Sequence, residues 1–376
     1  MKYVDEYRDA ARAQALAAVL RAEADPGATY AFMEFCGGHT HAISRYGIED
    51  LLPPAIRLIH GPGCPVCVLP VGRIDAAIAL AQNPRVTLCT YADLMRVPAS
   101  RGNSLQKAKA AGADIRMVYS TLDALRLAAA EPAREIVFFA IGFETTTPPT
   151  AVAVQRAASD GRTNFSVFCN HVLTPVAMRA ILTADSPDAV RLDGFVGPAH
   201  VSTVIGTEPY RQVAATWRKP VVVAGFEPLD VMQAILLLVR QVNEGRAEVE
   251  NQYIRAVTEA GNQRAQAAVA EVFELRDRFE WRGLGWVPHS ALKLRAQYAR
   301  FDAETRFEMA TPAAADNPAC DCGAILRGKK RPAECRLFGT ACTPETPIGS
   351  CMVSAEGACA AHWTYGRFRL PARLAS

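Results

Sequence analysis

Short apolar runs bounded by glycine or proline recur between residues 28 and 240, separated by alanine-rich stretches of helical length. One series comprises Thr29–Glu34, Ile56–His60, Val86–Thr90 and Ile115–Tyr119; a second comprises Ile136–Ile141, Phe165–Cys169, Gly194–Val196 and Val221–Ala224. Runs of this kind predict parallel strands joined by crossovers. The intervening Ile74–Ala81, Leu122–Ala130 and Ala151–Ala158 suit helices, since alanine loses no side-chain entropy there. The fold class expected is α/β, with two similar parallel-sheet domains. They span residues 28–130 and 131–240, after an N-terminal helix over 1–27. Gly142-Phe143-Glu144 and Gly225-Phe226-Glu227, each following a run, are consistent with two alike units. From about residue 241 to 376 a third domain is expected, mainly helical at first (Val249–Val257, Ala265–Leu275, Ala291–Arg300). After Thr311 it becomes loop-rich and Cys-rich.

Composition narrows the function classes. The 376 residues are half apolar and 21% charged, with a net charge of +3, which offers no electrostatic reason for a nucleic acid or an anionic membrane as partner. Met1–Ala24 alternates charge with alanine and reads as a helix rather than a secretory signal. The longest apolar candidate, Val231–Val242, is interrupted by Gln233, Arg240 and Gln241. A cytoplasmic protein is expected.

Cysteine changes the picture. Six of the eleven (Cys320, Cys322, Cys335, Cys342, Cys351 and Cys359) fall within residues 320–359. In a reducing compartment such clustering points to metal or redox chemistry. The ends of the predicted strands carry Cys36-Gly37-Gly38-His39-Thr40-His41, Gly61-Pro62-Gly63-Cys64-Pro65-Val66-Cys67, Tyr91-Ala92-Asp93, Glu144-Thr145-Thr146, Asn170-His171 and Gly197-Pro198-Ala199-His200. Ligands gather at such ends in open α/β sheets. Cys64-Pro65-Val66-Cys67 resembles a redox CxxC at a strand-to-helix turn, where helix amides would lower the pKa of the first cysteine. Two buried structural cysteines, or part of a zinc knuckle, are the alternatives. Cys36, Cys64 and Cys67 with one histidine could hold a soft iron or copper ion, or switch between disulfide and metal-bound dithiol. The C-terminal thiols lack a repeated CxxC, so spacing alone leaves an iron–sulfur cluster and a structural zinc both open.

The segments Met33–Ile43, His60–Val68, Gly142–Thr150 and Pro347–Cys359 resemble the HypD family of hydrogenase maturation factors, with the likeness running in order from Phe32 to Ala361. The resemblance implies a scaffold on which the iron of nickel–iron hydrogenases acquires cyanide and carbon monoxide. It is an assembly factor with redox activity rather than a conventional turnover enzyme. The implied partners are a small HypC-type chaperone and the cyanide-supplying HypE–HypF pair. A [4Fe–4S] cluster would be held by Cys320, Cys335, Cys342 and Cys359, which match the family pattern C-x₁₄-C-x₆-C-x₁₆-C. Cys322 and Cys351 match a redox pair beside the cluster, and Cys36, Cys64 and Cys67 match thiols for Fe(II) binding and switching. His39 and Asp93 are candidates for positioning protons or hydrogen-bonding cyanide nitrogens. An iron–sulfur-dependent thiol–disulfide reductase is the alternative activity, one that would not need Cys36 or His39.

Overall fold

A computed structural model describes residues 4–183, 190–310 and 312–366. Nine strands form two sheets: β1 (Tyr30–Glu34), β2 (Ile56–His60), β3 (Val86–Thr90), β4 (Ile115–Met117), β5 (Glu135–Gly142), β6 (Phe165–His171), β7 (Gly194–Pro198), β8 (Val221–Ala224) and β9 (Val249–Asn251). The first sheet has the order β2-β1-β7-β8-β9 and the second β4-β3-β5-β6. Every pairing in both is parallel, with Glu34 opposite His60 and Phe138 opposite Cys89. Both faces of each sheet are covered, which is why β3, β6, β7 and β8 are buried at every position.

The expected strands are present, but the sheets do not follow the linear partition. Residues 28–130 and 131–240 each contribute two strands to both sheets, so the second sheet, β3–β6, is inserted into the first between β2 and β7. Strand order is set by which faces bury together, not by adjacency in the chain. The echoed tripeptide falls at unlike places: Gly142 ends β5, third across its sheet, whereas Gly225 follows β8, fourth across its own.

Helices pack on these sheets by their apolar faces. Pro228–Asn243 starts with proline in its first turn and a reciprocal Glu227/Asp230 cap, and buries Val231, Met232, Ile235, Leu238 and Val239 against the first sheet. The helix Ala10–Glu23 lies on it, tied by Arg240 to Glu23 at 2.7 Å. Residues 1–3 of the expected N-terminal helix lie outside the described part. In the second sheet Phe139 and Phe168, both fully buried, stack at 5.1 Å. Phe139→Ala is expected to cost about 3–5 kcal/mol through lost transfer energy plus a cavity, read as a lowered urea midpoint.

The region after residue 241 is less helical than expected. Val249–Val257 is not a helix: Val249–Asn251 becomes the edge strand β9, whose backbone pairs with β8 in place of a helical ladder. Ala265–Leu275 splits into the helix Gln263–Val272, capped by Asn262, and the strand β10 (Phe273–Leu275). Ala291–Arg300 is a short strand followed by a 3₁₀ turn. Two small antiparallel pairs result, β10 with β13 (Leu292–Leu294) and β11 (Arg278–Trp281) with β12 (Gly285–Pro288). No helix among the described residues is long and apolar enough to cross a membrane.

Candidate functional site

The chain leaves β1 for β2 on one side and places β7 on the other, so a crevice opens between the carboxyl ends of β1 and β7. Cys36 and His200 face each other there, with Sγ 3.7 Å from Nδ1. Cys36 caps the helix Gly37–Tyr46 and is 7% exposed. Burial pushes its thiol up, helped by the negative charges of Glu356 and Glu34. His200 stands at the mouth of the cleft, its ring stacked 3.9 Å from Phe226; burial and nearby His39 lower its pKa to about 4. His39 lies on the inner side of Phe226, fully buried, with Nε2 3.0 Å from the carbonyls of Ala224 and Gly225. That nitrogen is committed to β8, and Nδ1 is the nitrogen left without a partner. His41, two residues on, meets Tyr365 instead.

The loop after β2 folds directly over Cys36. Gly37 N–H donates to the carbonyl of Gly63 at 3.4 Å, and a Cβ on Gly63 would collide with the Cys36 backbone. A side chain at Gly37 would meet Glu356 Oε2 at 2.7 Å, so both glycines are required by close approach. Glu356 is half-buried among Cys67, Asp93 and Glu34, and burial followed by those charges raises its pKa to about 6. Asp93, after β3, accepts a hydrogen bond from Ser354 at 2.9 Å.

Cys64 and Cys67 occupy the short helix Pro65–Val68 and its cap, and both are buried. The helix amides do not make Cys64 the acidic thiol. Burial and its hydrogen bond to Cys67 hold Cys64 well above its ordinary range. Burial also opposes a thiolate on Cys67, but hydrogen bonds from Cys351 and Cys64, with the charge of Arg282, bring it down to about 6. The row continues. Cys322 is pulled well below its ordinary range by hydrogen bonds from Cys320 and Cys351, while Cys351 is pushed up by Cys322 and Cys67. Ser350 braces the crossing, donating to the Cys67 carbonyl at 3.0 Å and lying 3.5 Å from Cys322 Sγ. All eleven cysteines are free thiols.

At its end the row enters a cavity lined by all six C-terminal cysteines, Cys322 and Cys351 included, with Ile325, Leu337, Phe338, Gly349 and Met352 among its walls. A Cβ at Gly349 would sit 2.5 Å from Cys320 Sγ. The donor set fits an iron–sulfur cluster: Cys320, Cys335, Cys342 and Cys359 are present together in an apolar pocket. Among the described residues no three His, Cys, Asp or Glu side chains converge as ligands of a single ion.

A family profile described as HypD, "Hydrogenase formation hypA family", matches residues 11–366. The chain belongs to the HypD family. It is 72% identical to the hydrogenase maturation factor HypD of Rhizobium leguminosarum bv. viciae, over 98% of this chain and 97% of that one. It is 65% identical to the HypD of Cupriavidus necator, over 98% of each, and 48% identical to that of Escherichia coli K12, over 97% and 98%.

Within this HypD-family chain, sequence reasoning gave three groups at the site no role beside Cys36. His200, in the first turn of the helix Ala199–Ile205, follows a strand end already singled out, and Glu356 sits in a loop inside a family-like segment, but nothing in the spacing directs either to Cys36. Arg282 carries no local signal at all: it is 4% exposed, its backbone N–H bonds the Val68 carbonyl at 2.8 Å, and its charge favours thiolates on Cys67 and Cys322.

Glu144, in the loop after β5, does not open to the cleft. It is buried and accepts the Thr174 N–H at 2.8 Å and the Thr174 hydroxyl at 3.0 Å. Burial outweighs those bonds and raises its pKa from 4.5 to about 7. A carboxyl raised on folding contributes most stability below its unfolded pKa and loses that contribution as pH climbs toward the folded value. Glu144→Gln is therefore expected to gain about 2–3 kcal/mol relative to the parent between pH 4.5 and 7.5, measured by urea unfolding at both pH values.

Proposed function

We propose that this chain is a scaffold on which Fe(II) destined for a nickel–iron hydrogenase receives cyanide and carbon monoxide, with its thiol state set by a redox row. The observation that carries the reading is the continuous line of thiols Cys64–Cys67–Cys351–Cys322, which joins the Cys36 cleft to the six-cysteine cavity. Cys36 is the fixed iron ligand. Cys64 and Cys67, which do not converge with Cys36 on a single ion in this structure, would reach the ion in the partner complex and bind or release it according to their oxidation state, and a HypC-type chaperone supplies a further thiolate. The HypE–HypF pair supplies cyanide. Thiolate-bound low-spin Fe(II) suits strong-field cyanide and carbon monoxide. Asp93 beside Glu356, and His39, whose Nε2–H is spent on the Ala224 and Gly225 carbonyls and whose bare Nδ1 accepts, are the groups proposed to take and hold protons near the bound cyanide; maturation that survives alanine at both positions would remove that role.

The thiol chemistry follows from the contacts. Cys351 attacks the Cys67 sulfur of a Cys64–Cys67 disulfide; the old S–S bond breaks and Cys64 leaves with the electron pair. Cys322, the acidic thiol of its pair, then attacks Cys351 and releases Cys67. Two electrons have moved, the oxidised pair is now Cys322–Cys351, and the Cys351 proton ends on Cys64. This outcome matches a pair in which Cys64 is held protonated and Cys67 is the thiolate. A [4Fe–4S] cluster held by Cys320, Cys335, Cys342 and Cys359 would supply one-electron reducing chemistry beside Cys322 and Cys351.

The same row also favours a second reading, a thiol–disulfide reductase, in which Cys36 has no part. Anaerobic isolation with iron and sulfide analysis separates the possibilities. The chain alone should carry about four irons and four sulfides, and the complex with its partners roughly one iron more, lost in Cys36→Ala. Zinc without labile sulfide would overturn the cluster assignment, and no extra iron in the complex would favour the reductase.

A further inference from the structure

Glu34, the last residue of β1, is fully buried, and its carboxylate collects three donors from two elements, the helix Gly37–Tyr46 with its cap and the end of β2. Oε2 accepts the Cys36 backbone N–H at 2.8 Å. Oε1 accepts the Thr40 hydroxyl, from the helix that Cys36 caps, and His60 Nδ1 at 2.8 Å, from the end of β2. The Glu34 carbonyl takes the Gly61 N–H at 2.9 Å, fixing the start of the turn that leads to Cys64. Burying a carboxylate is costly unless such partners satisfy it, so this arrangement holds only while both loops remain closed on it.

We infer that Glu34 is the positioning residue that locks the Cys36 loop and the Gly61–Cys67 loop into one register, through its two oxygens on Cys36 N–H, Thr40 and His60. It touches no substrate and acts through the thiols it places. The inference deepens the scaffold reading and rests on it for its consequence, although the locking itself does not.

The substitutions separate placement from charge. Glu34→Gln keeps the length: its carbonyl can hold the Cys36 N–H while its amide meets a rotated Thr40 hydroxyl and the other His60 tautomer. Glu34→Asp keeps the charge but withdraws the acceptor by one methylene from all three donors. Alkylation of the native full chain by iodoacetamide, mapped by mass spectrometry, reads the lock directly. In Glu34→Asp, labelling of Cys36 and Cys64 should rise together by about tenfold, with Cys89 and Cys169 unchanged, while Glu34→Gln stays within about threefold of the parent. Thr40→Val, which deletes a single donor and keeps the volume, should give a smaller rise at the same two thiols and serves if Glu34→Asp does not fold. Parental labelling in both Glu34→Asp and Thr40→Val, or an equal rise at Cys89, would overturn the lock. A rise confined to Cys36 and Cys64 with unchanged iron retention in the partner complex would uphold the lock and instead refute Cys36 as the iron ligand.

Discussion

A strain whose only copy of this chain carries Cys36→Ala is expected to lose hydrogenase activity by at least about 100-fold, while the variant stays folded and keeps its C-terminal cavity. The magnitude follows from the position of the thiol. Loss of groups that merely orient metal ligands costs about 10–100-fold in metal affinity, and Cys36 is proposed as a ligand itself. The nearest other donor on that face, His200 Nδ1 at 3.7 Å from Cys36 Sγ, is a neutral imidazole that brings no negative charge to the ion, and His39 Nε2 is bonded to Ala224 and Gly225. The fold should tolerate the change, because Cys36 holds its place through backbone bonds from its N–H to Glu34 and from the His39 N–H to its carbonyl. Hydrogenase assay of the strain, with thermal unfolding of the purified variant, checks both halves. Full activity would transfer the role to the thiol row alone.

The second large effect concerns the crossing between thiol pairs. Cys67 contacts Cys351, and Cys351 contacts Cys322, so removing the resolving thiols should arrest exchange midway. In a Cys64→Ser, Cys322→Ser double variant, which lacks both thiols able to resolve the intermediate, protein isolated under oxidising conditions is expected to accumulate a Cys67–Cys351 disulfide as the major linked species; non-reducing peptide mapping would detect it. The Arg282 charge beside Cys67 and Cys322 should favour the second displacement, in which Cys322 attacks and Cys67 leaves as thiolates, and leave the first, by the Cys351 thiol that its neighbours hold protonated, as the slow step. A map that finds no Cys67–Cys351 link would mean that the two pairs do not communicate through these sulfurs.

Much of this architecture was legible in the chain. Ile56–His60, Val86–Thr90 and Val221–Ala224 are strands over the very residues their apolar runs predict, because a short buried strand has little freedom to begin elsewhere than at its flanking Gly, Pro or polar residues. The assignment of strands to sheets was not legible. Pairing β1 with β7 joins residues 162 positions apart, and no local pattern records that choice. Val249–Val257 misled for a related reason: the partner that makes Val249–Asn251 a strand is the edge of β8, supplied by the tertiary fold. At the site, thiols announce themselves by type and spacing, and every cysteine singled out lies in the cleft, the row or the cavity. The acidity of those thiols does not. Helix-end reasoning favours Cys64, yet a four-residue helix contributes less than two neighbouring thiols and a buried guanidinium, and Cys67 becomes the acidic member. Glu34 shows the same limit: its importance lies in which three donors surround it, not in its being a glutamate after an apolar run.

The most direct test is an infrared spectrum of the anaerobically purified wild-type chain, co-expressed with its HypC-type chaperone and the HypE–HypF pair. The account predicts bands from cyanide and carbon monoxide bound to iron, shifting on isotopic labelling of the cyanide source and absent from the Cys36→Ala complex. A complex that holds iron and labile sulfide but shows no such bands would contradict the scaffold reading and leave a thiol reductase in its place.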